Sequence, residues 1–149
     1  MVELEQTRLM LENLGLSQAA ITLDSHLDYA ARSEITYLEF INRLLKDETD
    51  FRRKRSEETR LKLSRLPHKK TLDEFDFSFQ PSLDERQIRE LATLSFIHRQ
   101  ENVILLGPPG VGKSHIAIGL AVEAIRQGLS VYFVSMDKLL DDLRRANNE

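Results

Sequence analysis

The stretch Asn102–Val134, NVILLGPPGVGKSHIAIGLAVEAIRQGLSVYFV, decides the fold. Its centre, GPPGVGKS at Gly107–Ser114, meets the P-loop requirement of Gly, four free positions, Gly, Lys and then Ser or Thr. Gly107 and Gly112 permit a tight backbone path, and Gly110 adds freedom between them. Such a path turns successive N–H groups inward as a nest for phosphate oxygens, and the dipole of a helix starting near Lys113 adds positive potential. The pattern assigns Lys113 to the β- and γ-phosphates of a nucleotide and the Ser114 hydroxyl to Mg2+. The candidate nucleotide-binding residues are therefore Gly107, Pro108, Pro109, Gly110, Val111, Gly112, Lys113, Ser114 and His115, with ATP and Mg2+ as the implied cofactors.

Working outward, the apolar run Val103–Leu106 suits a buried parallel strand, and Val131–Val134 suits a second one. Between them Lys113–Gln127 reads as an apolar helix closed by Gly128 in a left-handed cap. Ser135–Arg145 follows as an amphipathic helix carrying Leu139, Leu140 and Leu143. Upstream, Ser82 and Glu85 form a capping box before a helix bearing Ile88, Leu91, Leu94 and Ile97. Pro67–Pro81, with Phe75, Phe77 and Phe79 in alternation, suits an extended linker whose aromatics pack against the domain rather than stack on bases. The first third reads helical: Leu4–Leu16 stops at Gly15, Ser17 caps a second helix, and Thr36 with Glu39 boxes the start of a third. Behind that box Tyr37, Phe40, Ile41, Leu44 and Leu45 make one apolar face, which gives way to charge as the helix runs towards Pro67. The organisation expected is a helical domain over residues 1–66, a linker over 67–81, and a P-loop domain over 82–149.

Charge is unevenly placed along this chain of net −3. From Arg52 to Lys70, nine of nineteen residues are Lys or Arg and two are acidic. Arg52, Arg53, Lys54, Arg55, Arg60, Lys62, Arg65, Lys69 and Lys70 are either a solvated helix face or a set of backbone contacts to DNA. With no Cys, disulfides and thiolate chemistry are excluded, and the four His stand at no metal-ligating spacing. No run is long and apolar enough to span a bilayer and the start lacks a secretory pattern, so the expected location is the cytoplasm.

Two pieces carry a family resemblance: KTLDEFDF at Lys70–Phe77 and GPPGVGKSH at Gly107–His115. With YLEFINRLLKDE at Tyr37–Glu48, they make nearly the whole chain resemble the IstB family of insertion-sequence ATP-binding proteins, AAA+ ATPases related to the DnaC helicase loader. The resemblance implies an α/β P-loop NTPase core preceded by a small all-α domain. It also implies a helper of DNA transposition that assembles as a homo-oligomer and supports a transposase. A DnaC-like helicase loader and a non-catalytic fragment that binds DNA or intact subunits remain open beside it. The family's likeness further raises the standing of Arg52–Lys70 as a DNA contact and places Phe75–Phe79 where relatives build part of the adenine pocket.

One departure is large. AAA+ proteins follow the second strand with a third ending in the Walker B carboxylates, and supply a sensor residue and an arginine finger later. The sequence ends at Asn147-Asn148-Glu149 before any such strand, and Asp137, Asp141 and Asp142 sit on a helix pattern instead. The expectation is the front portion of an ATPase with an incomplete parallel sheet. Purified as it stands, the 149-residue chain is expected to show little ATP hydrolysis. A steady-state phosphate-release assay giving robust turnover, abolished by Lys113→Ala, would contradict that reading.

Overall fold

The structure is a computed structural model and describes residues 2–81 and 83–147. It divides into two compact units, Met1–Ser56 and Glu57–Glu149.

The first unit contains α1 (Val2–Asn13), α2 (Ser17–Ser33) and the first part of α3 (Tyr37–Leu63). Gly15 ends α1 at φ 73°, its N–H donating to the Glu12 carbonyl at 2.8 Å while Leu16 N–H reaches the Leu11 carbonyl at 2.8 Å. This doubled bond satisfies the last helical carbonyls and turns the chain at once. The cap expected from Ser17 is supplied differently: Leu16 occupies the cap position and makes no side-chain bond to the helix. Instead Glu48, from α3, accepts hydrogen bonds from Gln18 N–H at 2.8 Å and Ala19 N–H at 3.0 Å. Arg52 then bridges, its Nε donating to Glu48 at 2.7 Å and its terminal nitrogen to the Gly15 carbonyl at 2.6 Å.

Beside this network Ala19, Leu23 and Leu44 form a small core, with Leu4, Leu11, Leu16 and Phe40 packed on it. The apolar face read on α3 is only partly used, because Tyr37, Ile41 and Leu45 stay exposed. The Thr36–Glu39 box is half made. Glu39 N–H donates to the Thr36 hydroxyl at 3.2 Å, but the Glu39 carboxylate takes Arg43 at 3.0 Å.

In the second unit the stretch between the two prolines is not a plain extended linker. It forms two 3-10 turns, Leu72–Glu74 and Phe77–Phe79. The first is boxed by Thr71 and Glu74, with Thr71 N–H donating to the Glu74 carboxylate at 2.6 Å. Leu72, Phe75 and Phe77 reach a core built on Ile88, Ile116 and Leu120. Helix α4 (Glu85–Ala92) starts at Asp84, which accepts from Arg86 N–H at 2.9 Å; Ser82 of the expected box lies outside the described residues. The helix expected to continue through Ile97 breaks at Leu94, whose φ is 59°, before the short α5 (Ser95–His98). Helix α6 (Lys113–Arg126) buries Ile116, Ile118, Val122 and Ile125 and ends at Gly128 with φ 88°, as its sequence requires. Helix α7 (Met136–Ala146) opens at Ser135, whose side chain accepts from Lys138 N–H.

The expected parallel sheet of an α/β core is not seen here: among the described residues none lies in a β-strand and the regular secondary structure is helical. Val103–Leu106 and Val131–Val134 run between helices, with Ile104 77%, Leu106 88% and Tyr132 52% exposed rather than buried. A parallel strand holds when neighbours on its edges satisfy its N–H and C=O groups, and these two runs do not pair with each other. Phe133 N–H turns instead to the Ser64 carbonyl just past α3, at 2.8 Å. No described helix is long and apolar enough to cross a membrane.

Glu48 gives the first unit an acid-sensitive joint. Burial pushes its carboxyl upward, but the amides of Ala19 and Gln18 and the Arg52 guanidinium outweigh that and hold it below its ordinary value of 4.5. Its contribution is therefore complete above that value and is lost as pH falls through the lower folded value. Glu48→Ala is expected to cost about 2–4 kcal/mol, because one buried amide, one partly buried amide and Arg52 lose their partner. Chemical denaturation followed by circular dichroism at pH 7 and pH 3 checks this. The gap between wild type and variant narrows in acid if the network carries the stability, and stays constant if it does not.

Candidate nucleotide site

The loop Gly107–Ser114 leads directly into α6. Gly112 holds the cap position of that helix at φ 89° and ψ 8°, with no side-chain hydrogen bond to its first turn. The first N–H groups of a helix have no intrahelical acceptor, so a cap without a side-chain bond leaves them to a ligand or to water. Lys113 folds over the loop, its Nζ donating to the carbonyls of Gly107 at 2.8 Å and Pro108 at 2.6 Å. The ammonium thus rests on acceptors within the loop itself, from which it is free to move to a stronger anionic acceptor. Ser114 is exposed on the first turn of α6. Among the described residues no cluster of His, Cys, Asp or Glu suits a metal, so a cation here would depend on the Ser114 hydroxyl and on oxygens of its ligand.

His115 has a different position from the rest of the motif. Its Nε2 lies 2.8 Å from the Thr71 carbonyl. A carbonyl only accepts, so Nε2 carries the hydrogen in this bond. The ring also meets Phe75 edge to face at 5.2 Å, and Phe75 meets Phe77 likewise at 4.9 Å. Phe75 in turn lies against Gly112, where a Cβ would stand 2.8 Å from the ring Cζ. Gly112 is thus required twice, by a left-handed φ and by the ring pressed on it. Farther along α6, a Cβ on Gly119 would meet Leu72 Cδ2 at 2.6 Å and Cγ at 2.8 Å. Thr71, Leu72 and Phe75 therefore clasp α6 at three points. Gly119 and Leu72 were not singled out from sequence, although a lone glycine within a helical pattern is the signal for a close approach.

Beside this clasp opens a cavity of about 630 Å3, with Lys69, Lys70, Phe75, Phe79, Gly110 and Gly112 in its wall. Phe75 and Phe77 pack inward as the sequence predicts, but Phe79 is 72% exposed at the cavity. Glu74 and Asp76 also line it. The Thr71 amide and hydroxyl hold the Glu74 carboxyl below its ordinary value, and the Ser78 hydroxyl and amide do the same for Asp76. A second cavity of about 520 Å3 is lined by Val103–Leu106, Val111 and Lys113.

The basic block does not form one uniform surface. Arg52 is committed to Glu48 and Gly15, and Arg53 pairs with Asp50 at 2.9 Å. Lys54, Arg55 and Lys62 are exposed along α3, and Arg60 is half-buried. The chain turns at Arg65, which has φ 57°, lies over the Tyr132 ring at 5.1 Å and donates to its hydroxyl at 2.8 Å. Lys69 and Lys70 come after that turn, in the wall of the cavity beside the loop.

Comparison with known proteins follows the same residues. The family described as "IstB-like ATP binding protein" matches residues 9–149. The chain belongs to that family. It is 52% identical over 122 residues to the "Insertion sequence IS5376 putative ATP-binding protein" of Geobacillus stearothermophilus, covering 82% of this chain and 49% of that protein. It is 44% identical over 146 residues to the "Insertion sequence IS21 putative ATP-binding protein" of Pseudomonas aeruginosa, covering 98% of this chain and 55% of that protein. A counterpart named for IS232 in Bacillus thuringiensis subsp. berliner is 37% identical, with 97% of this chain and 58% of that protein covered. The chain thus spans about half the length of the curated relatives it matches.

The clasp on α6 is testable by one methyl group in this IstB-like chain. Alanine in place of a helical glycine ordinarily gains about 1 kcal/mol. At Gly119 the added carbon collides with Leu72, and overpacking of that kind costs about 1–3 kcal/mol. Gly119→Ala is therefore expected to destabilise the second unit in urea denaturation, and a gain in stability would show that Leu72 does not hold this position.

Proposed function

We propose that this chain binds ATP with Mg2+ at Gly107–His115 and serves DNA transposition, acting on DNA and with a transposase. The observation that carries the reading is the loop itself: Lys113 poised on the Gly107 and Pro108 carbonyls, ahead of a helix start with no side-chain cap. The residues fit the nucleotide. Inward amides of Gly110–Ser114 receive phosphate oxygens, Lys113 exchanges its carbonyl acceptors for the β- and γ-phosphates, and the Ser114 hydroxyl holds the cation. The bound metal, when present, neutralises phosphate charge. Pro108, Pro109 and Val111 shape the loop, while His115 acts from behind it by fixing Thr71. Phe79, exposed at the cavity next to the loop, supports the adenine.

For DNA, the reading assigns backbone contacts to Arg53, Lys54, Arg55, Arg60 and Lys62 on α3. Arg52 and Arg65 leave that set because both hold parts of their own unit together, and Lys69 and Lys70 leave it because they line the cavity beside the loop. The insertion-sequence names of the relatives favour transposition over helicase loading. Assembly of several subunits on DNA with a transposase belongs to the same proposal.

The test is binding of a fluorescent ATP analogue by the wild type and by Lys113→Ala, alongside duplex DNA binding over a salt series. Losing the charge-assisted bonds of Lys113 is expected to weaken the nucleotide about ten-fold or more. Neutralising Arg53, Lys54 and Arg55 is expected to lower the DNA salt slope by about 2–3. Nucleotide affinity unmoved by Lys113→Ala, or DNA binding indifferent to salt and to these three residues, contradicts the corresponding half of the proposal.

A further inference from the structure

We infer that Lys69 and Lys70 act on the nucleotide rather than on DNA, so that the basic block of the sequence serves two ligands. The inference rests on the ATP-binding reading above. In sequence the two lysines continue the run that begins at Arg52. They lie beyond the helix that carries the rest, because α3 ends at Leu63, Ser64 is fully buried and the chain turns at Arg65 with φ 57°. Past that turn the backbone is fastened to α6, the helix that follows the loop. Thr71, the next residue after Lys70, gives its carbonyl to His115 at 2.8 Å, and His115 stands in the first turn of α6. Consecutive Cα atoms are about 3.8 Å apart, so Lys70 begins one residue from a fixed point on the loop's own helix.

Both lysines line the cavity that also exposes Gly110 and Gly112, at about 630 Å3 a size that suits a nucleotide-sized ligand. The charged and titratable groups facing it are Glu74, Asp76 and His115 besides the lysines. Glu74 spends its carboxylate on the Thr71 amide, Asp76 spends its own on Ser78, and His115 donates to Thr71. The carboxylates are thus turned onto local donors, whereas the two ammonium groups are exposed. A polyphosphate held by the loop meets those cations at Gly110 and Gly112, while Lys113 lines the second cavity with Gly107 and Pro108. Lys69 and Lys70 supplement Lys113 as charge for the phosphates.

The experiment compares the whole chain with Lys69→Ala/Lys70→Ala and with Lys69→Arg/Lys70→Arg, titrating a fluorescent ATP analogue and a duplex over a salt series. The alanine pair is expected to weaken the analogue about ten-fold, and the arginine pair to restore most of that loss. The DNA salt slope is expected to stay at the wild-type value for both pairs. Unchanged nucleotide affinity with a slope smaller by about 2 assigns the lysines to DNA and overturns the inference. Loss of both ligands overturns the division of labour, and no effect on either overturns any role. Lys113→Ala run in parallel separates the two levels. If it abolishes nucleotide binding while the lysine pair changes nothing, only this inference fails. A wild type that binds no nucleotide removes the underlying reading, and this inference with it.

Discussion

Glycine 119 leaves a gap in the wall of α6, and Leu72 fills it. Much of what positions the phosphate loop follows from that contact. With Leu72 seated, Thr71 presents its carbonyl to His115 and Phe75 lies across Gly112, so a short non-helical segment grips the helix that carries Lys113. Each contact needs a particular absence: no Cβ at 119, none at 112. The Thr71–Glu74 box and the Asp76–Ser78 bond give the gripping segment its own shape, so its ordering is not left wholly to α6. The stretch between the prolines is thus packed against α6 through Thr71, Leu72 and Phe75.

The first unit solves a comparable problem with one carboxylate. Helix α2 begins without a capping side chain of its own, and Glu48 reaches across from α3 to satisfy two of its amides. A local serine would have capped α2 alone. A distant glutamate makes the start of α2 depend on α3 being present, adding to a small apolar core, the His26–Asp47 contact at 2.8 Å and Arg43 over the Tyr29 ring. Arg52 completes the arrangement by neutralising the buried carboxylate and holding the Gly15 turn.

Local chemistry was legible in the sequence, and long-range pairing was not. Gly15 and Gly128 end helices where a left-handed residue is called for, the P-loop lies between an apolar run and α6, and α3 runs on past its apolar face. The absence of a ladder beside Val103–Leu106 could not be read from sequence, because that run has the composition of a buried strand whether or not partners stand beside it. Arg52 and Arg65 looked like the other cations of their run, since nothing in a charge count separates a guanidinium on a carbonyl from one in solvent. His115 follows the loop in sequence, and nothing in its position announced that its Nε2 would meet the Thr71 carbonyl at 2.8 Å. Gly119 carried a readable signal, yet its partner Leu72 lies far away in sequence and no pattern links them.

The exposed run at Ile104 and Leu106 has a built-in stop. Immediately after Gly107 come Pro108 and Pro109, which have no N–H to give to a neighbouring strand. A segment pairing along Ile104–Leu106 therefore finds no backbone donor at the two residues that follow Gly107.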